Sequence, residues 1–218
     1  MREWLRSNRG FIAFLLCFAL FRTAVADWNP IPSGSMRPNL LEGDVVLVNR
    51  LAFDVKLPLS DVIVAPLAEP RRGDIVTFSS PRDGTRLIKR IIALPGDVVE
   101  MRNELLFVNG QSASYSEVDF VTEPDNLTAM RTTELAGKTQ RRIQWLEGVE
   151  AKDSFGPVRV PADHFLMLGD NRDNSADSRY FGFVPRHLLI GRAERILVSA
   201  DILGNWLPRF DRFGQRLN

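Results

Sequence analysis

The chain has 218 residues, enough for one sizeable core with at most an appended lobe. Its 28 Lys and Arg against 27 Asp and Glu give a formal charge of +1, so no global field recruits nucleic acid or another polyanion. One cysteine, Cys17, excludes an intramolecular disulfide, and neither His164 nor His187 stands at metal-ligand spacing from another His or Cys. No metal and no cofactor is expected.

Residues 1–9, MREWLRSNR, carry Arg2, Arg6 and Arg9, and GFIAFLLCFALF continues as an apolar stretch to Phe21. This is a membrane address. Ala24-Val25-Ala26 has the small-residue pattern at which a cleavable leader is cut, whereas an anchor keeps the whole segment. The expectation carried forward is a transmembrane anchor over 1–26, with the basic flank in the cytoplasm and everything after Asp27 on the far side. Gly10 to Ala26 is about 17 residues, the low edge of a span, and Arg22 must snorkel or meet a partner.

After DWNPIPSG the pattern changes to short apolar segments separated by turn residues, which reads as mostly β. Strands are expected in 44–53, 74–80, 85–94, 97–111 and 164–170, all rich in Val, Ile, Leu and Phe. Gly43-Asp44, Gly73-Asp74 and Gly96-Asp97 each read as a turn that launches a strand, and Asn109-Gly110 as a two-residue hairpin turn. Residues 112–157 are polar and weakly periodic, so they read as an inserted lobe or as a disordered tract. VPRHLLIGRAERI (184–196) holds one short helical turn at most. The last residues mix Trp206, Phe210 and Phe213 with arginines, as either an interfacial segment or ordinary packing does. The expected division is an anchor over 1–26, a β core over 27–111 and 158–218, and the lobe over 112–157.

Three stretches carry chemistry. IPSGSMRPNLLEGD (31–44) places two serines around Gly34, and a serine that attacks an amide needs a base and donors for the oxyanion. His164 and His187 sit in strand-like and helix-like surroundings and read as structural. Lys89 is the candidate base: period-2 alternation puts it on one face with Leu87 and Ile91, and burial lowers the pKa of a lysine. The third stretch, GDNRDNSADSRYFGFV (169–184), fails as an EF-hand, because from Asp173 the sixth and twelfth places hold Ser178 and Val184. It reads instead as a polar network in which Asp177 and Arg179, or Asp173 and Arg172, pair and hold the loop rigid.

Together these stretches resemble the bacterial type I signal peptidases, membrane-bound Ser-Lys proteases. The matching segments are PSGSM.P.L..GD..LV at 32–48, KRI.ALPGD at 89–97 and GDNRDNSADSR..G.V at 169–184. The resemblance implies an antiparallel core of two sheets and cleavage of signal peptides from exported preproteins after Ala-x-Ala. It implies Ser35 as nucleophile, Lys89 as general base, Ser33 with the Ser35 N–H as oxyanion hole, and Ser175 orienting Lys89. Asp177, Arg179 and Asp173 would brace the site, Arg90 would stand beside the base, and Met36 beside the substrate pocket. The implied location is the inner membrane, with the catalytic domain on the extracytoplasmic side and the bilayer and preproteins as partners. Asn39 and Ala93 depart from the usual Thr and Gly. A dedicated peptidase for one pilin or conjugation substrate is the alternative. A self-cleaving repressor domain would lack the leader, and a peptide-binding β-domain would need neither Ser35 nor Lys89.

Overall fold

The structure, a computed structural model, describes Trp4 and residues 7–58 and 60–217. Arg2 and Arg6 of the basic flank lie outside the described residues. Helix α1 (Arg9–Ala24) buries none of its side chains, and Phe11, Phe14, Leu16 and Phe21 all face outward. Its 16 residues reach about 24 Å at ~1.5 Å per residue, short of a ~30 Å hydrocarbon layer. No helix among the described residues is long and apolar enough to cross a membrane. Arg22 pairs with Asp27 at 3.0 Å and lies over the Trp28 ring, 4.2 Å from its centroid.

The rest is mostly β, and every pairing between named strands is antiparallel. A seven-stranded sheet runs in the order β1 (Ala26–Pro30), β2 (Asp44–Asn49), β16 (Leu189–Ser199), β5 (Ile75–Ser79), β6 (Arg86–Ala93), β14 (His164–Leu168) and β15 (Val184–Pro185). A four-stranded sheet is built from β13 (Phe155–Arg159), β7 (Val98–Arg102), β8 (Leu105–Val108) and β9 (Gln111–Ser112). A three-stranded sheet joins β10 (Ser114–Thr122), β11 (Thr128–Ala136) and β12 (Thr139–Leu146), and β3 (Asp54–Lys56) pairs β4 (Ile63–Pro66) alone. Beyond an antiparallel core of two sheets with an inserted β lobe, the described residues form one further small sheet, β3 with β4, while 114–146 close into the three-stranded sheet.

The three Gly-Asp turns share one construction. Gly43, Gly73 and Gly96 have φ of 88, 94 and 88°, where a Cβ is strained. Each following aspartate accepts a hydrogen bond from the backbone N–H three residues earlier: Leu41 to Asp44 and Leu94 to Asp97 at 2.8 Å, Arg71 to Asp74 at 2.9 Å. The turn is closed by the side chain of the residue that begins or precedes the strand. Asn109 and Gly110, both at positive φ, connect β8 to β9 as expected.

The segment 184–196 departs from expectation. Its short turn is Arg186–Leu188, and from Leu189 it becomes the 11-residue β16, inside the seven-stranded sheet. Register shifts between Ala193 and Arg195 and between Ile196 and Val198 break the alternation by which a strand is recognised.

Candidate active site

Ser35 lies in a single 3₁₀ turn, Gly34–Met36, that follows β1. Met36 and Leu40 are fully buried in a cluster with Ile31, Val46, Val48 and Ile75, which pins the turn to the sheet. Met36 therefore presents no accessible surface, and it anchors the turn from below instead of walling a pocket. Gly34 does not have a left-handed backbone. A Cβ there would stand 2.9 Å from Glu42 Oε1 and 3.1 Å from Arg37 Nε, so the Arg37–Glu42 ion pair occupies the space a side chain needs. Glu123 closes on the same arginine.

Lys89 is in β6, opposite Val76 of β5, and 3% exposed. Its Nζ donates to Ser35 Oγ at 2.7 Å and to the Ile88 carbonyl at 2.9 Å. Burial pushes its pKa from 10.5 down to about 8, against Asp177 and Asp170, whose charges favour the ammonium. The next residue, Arg90, is also fully buried. It grips Asp170 through two bonds of 2.8 Å and donates a third of 2.8 Å to the Gly73 carbonyl.

The loop after β14 is sewn to the serine turn by Asn171, which sequence reasoning did not single out. Its N–H donates to Ser35 O at 3.2 Å and its Nδ2 to Gly34 O at 3.1 Å. Asp177 accepts from Gly169 N at 3.0 Å and holds the Arg179 guanidinium at 2.8 and 2.9 Å, so this pair is made as the sequence suggested. The Asp173–Arg172 pair is not made. Asp173 accepts from the Leu146 N–H at 2.7 Å, while Arg172 turns to Glu134 of β11 with two bonds of 2.8 Å. Arg141 reaches the same carboxylate, and between these two cations Glu134 is held down at about 2 despite burial. Glu134 and Arg141 face each other across one hairpin, but Arg172 comes from 38 residues away, which no local signal reveals.

Ser33 is exposed and extended at the mouth of the turn. Ser175 is buried against Gly169. Among the described residues its Oγ has no hydrogen-bond partner, so the bond to Lys89 that the resemblance implies is absent, and Lys89 bonds Ile88 instead. A Cβ at Gly169 would collide with Ser175 and with the Ser35 carbonyl. His164 and His187 share a different cavity with Asp54 and Arg186 and do not approach Ser35. Among the described residues no group of His, Cys, Asp and Glu can hold a metal ion. The arrangement is a hydroxyl bonded to an amine of lowered pKa, chemistry suited to proton removal from a nucleophile.

The family model described as signal peptidase, peptidase S26, matches residues 1–198. Signal peptidase I of Pseudomonas fluorescens is 35% identical over 221 residues, 95% of this chain and 77% of that protein. Signal peptidase I of Pseudomonas aeruginosa is 34% identical with the same coverage. A crystal structure of a signal peptidase I from Enterococcus faecalis V583 is 34% identical, covers 58% of this chain and 97% of that one, and superposes with a TM-score of 0.36. The chain belongs to the signal peptidase family, peptidase S26, and is a serine endopeptidase.

Proposed function

We propose that this protein removes N-terminal signal peptides from exported preproteins by a Ser-Lys mechanism. The observation that carries the reading is the 2.7 Å bond from Lys89 Nζ to Ser35 Oγ in a site that lowers the lysine pKa. Neutral Lys89 takes the Ser35 proton as Oγ attacks the scissile carbonyl. The Ser33 hydroxyl and the Ser35 N–H receive the oxyanion, and the Lys89 ammonium returns its proton to the leaving amine. Water, deprotonated by the same amine, then releases the acyl group. Ser175 is assigned to orient Lys89 during turnover, its buried Oγ having no other partner among the described residues. Asp177, Arg179, Asp173 and Arg90 brace the site.

Membrane attachment through residues 1–26 belongs to the same reading. It is supported by the unpacked apolar face of α1 and by Trp206 and Phe210, which are 71% and 72% exposed. The catalytic residues 27–111 and 158–218 would lie on the extracytoplasmic side of the inner membrane, with 112–157 as an insertion. Small pockets that admit Ala-x-Ala complete the proposal, since a tight cavity rejects larger side chains by overpacking. The test is a membrane-inserted precursor with an Ala-x-Ala site. Wild type should cut after that site, as read by mass spectrometry of the mature N-terminus, and Ser35→Ala should bind the precursor without cutting it. Cleavage by Ser35→Ala would refute the assignment.

A further inference from the structure

A cavity of about 610 Å³ lies over β5 and β16, bordered by the β11–β12 turn and by Arg216 and Leu217 near the C-terminus. Its placement is fixed by the fold. An antiparallel bridge joins Arg195 to Arg216, and Thr139 packs so closely on Gly73 that a Cβ there would lie 2.7 Å from its methyl group. Arg72, Arg90, Lys138, Arg192, Arg195 and Arg216 bring cations to this space, against only Asp74 and Glu194. Three of the cations are committed: Arg72 to Asp97, Arg90 to Asp170, and Arg192 to Glu194. Asp74 turns its carboxylate to the Arg71 N–H.

Lys138, Arg195 and Arg216 have no carboxylate within 4.0 Å among the described residues. The adjoining groove differs. Its Arg131, Arg142 and Arg212 are paired, with Glu123, Asp119 and Asp44, and its fourth arginine, Arg216, is the one it shares with the first cavity. In a chain whose formal charge is +1, unpaired cations have thus been gathered around one concavity. Guanidinium and ammonium groups lining one cavity match the tetrahedral, multiply charged oxygens of a phosphate. The volume falls in the usual range of small-molecule sites, about 300–1,000 Å³, and Ile75, Ala193 and Leu217 supply walls for an organic part.

We propose that this cavity binds a phosphate ester, held by Lys138, Arg195 and Arg216. The chemistry is shared by soluble phosphate esters and by the headgroup of an anionic phospholipid. The inference does not depend on the roles given to Ser35 and Lys89.

The experiment uses the full chain in a neutral detergent and calorimetric titration with two probes, glycerol 3-phosphate and short-chain phosphatidylglycerol. Saturable binding is expected, weakening as NaCl is raised, and weaker by at least about tenfold in K138Q/R195Q/R216Q. All three side chains are exposed, so the variant should keep its melting temperature and its rate of peptide cleavage without ligand. Binding of glycerol 3-phosphate as tightly as the lipid identifies a soluble ester site, and binding of the lipid alone identifies a headgroup site. Either supports the proposal. No saturable binding of either probe, or equal binding by the variant, overturns it.

Discussion

Arg172 of the loop after β14 donates two hydrogen bonds of 2.8 Å to Glu134 of β11, and both side chains are fully buried. The three-stranded sheet is thereby tied to the loop that carries Asn171 and Ser175. Backbone bonds reinforce the tie: Gln144 N to Asp170 O and Arg172 N to Gln144 O, both 2.9 Å. Glu134→Ala should leave two buried guanidinium groups uncompensated and destabilise the fold by about 3–5 kcal/mol. Chemical denaturation measures it, and a loss below 1 kcal/mol would show the tie to be dispensable.

The same carboxylate sets an acid limit. Its pKa falls from 4.5 to about 2 on folding, so its contribution is fully present above 4.5 and is lost as pH drops toward 2. That contribution is ~3 kcal/mol, and melting curves between pH 6 and 2 should show the decline, which Glu134→Gln should blunt.

Lys89 has the opposite effect on stability. With its pKa lowered from 10.5 to about 8, the unfolded chain binds more protons between those values, so stability rises with pH across that window. Below pH 8 the buried ammonium costs ~3 kcal/mol, offset by two hydrogen bonds worth about 1 kcal/mol each. Lys89→Met should therefore be inactive and more stable at pH 7 by about 1 kcal/mol. A less stable Lys89→Met would show that the lysine is not held at a cost.

Ser175 separates positioning from folding. Its buried Oγ has no partner among the described residues, so Ser175→Ala should leave the melting temperature unchanged or raise it. If Ser175 orients the base during turnover, kcat should drop by about 10²-fold and the pH profile should shift, with KM nearly constant. An unchanged kcat would remove Ser175 from the mechanism.

Gly169→Ala tests the close approach of loop and nucleophile. The added methyl meets Ser175 and the Ser35 carbonyl, so kcat should fall at least about tenfold with a stability loss of about 1–3 kcal/mol. A fully active variant would mean the turn yields more freely than this packing allows.

Much of the site was legible because its residues break local rules. A lysine and an arginine inside an apolar strand are costly unless used, and Lys89 and Arg90 are both buried and bonded. The reason for Gly34 was not legible, because the space beside it is taken by Arg37 and Glu42, which the fold brings there. What stayed hidden depends on distant partners. Glu134 and Arg141 look like surface charges until Arg172 arrives from 38 residues along the chain. β16 was hidden by its bulges, which scatter Arg192, Glu194 and Arg195 across the alternation that marks a strand.

Lys89 as the base for Ser35 is tested most directly by the pH dependence of precursor cleavage by wild type, Lys89→Ala and Lys89→Arg. Wild-type kcat/KM should rise through an ionisation near the value of about 8 that burial gives Lys89, and level off above it. Both variants should lose about 10²–10⁴-fold at every pH, because arginine keeps the charge but cannot act as a base. Substantial activity in Lys89→Ala, with the same ionisation still in its profile, would contradict the assignment of Lys89 as the base for Ser35.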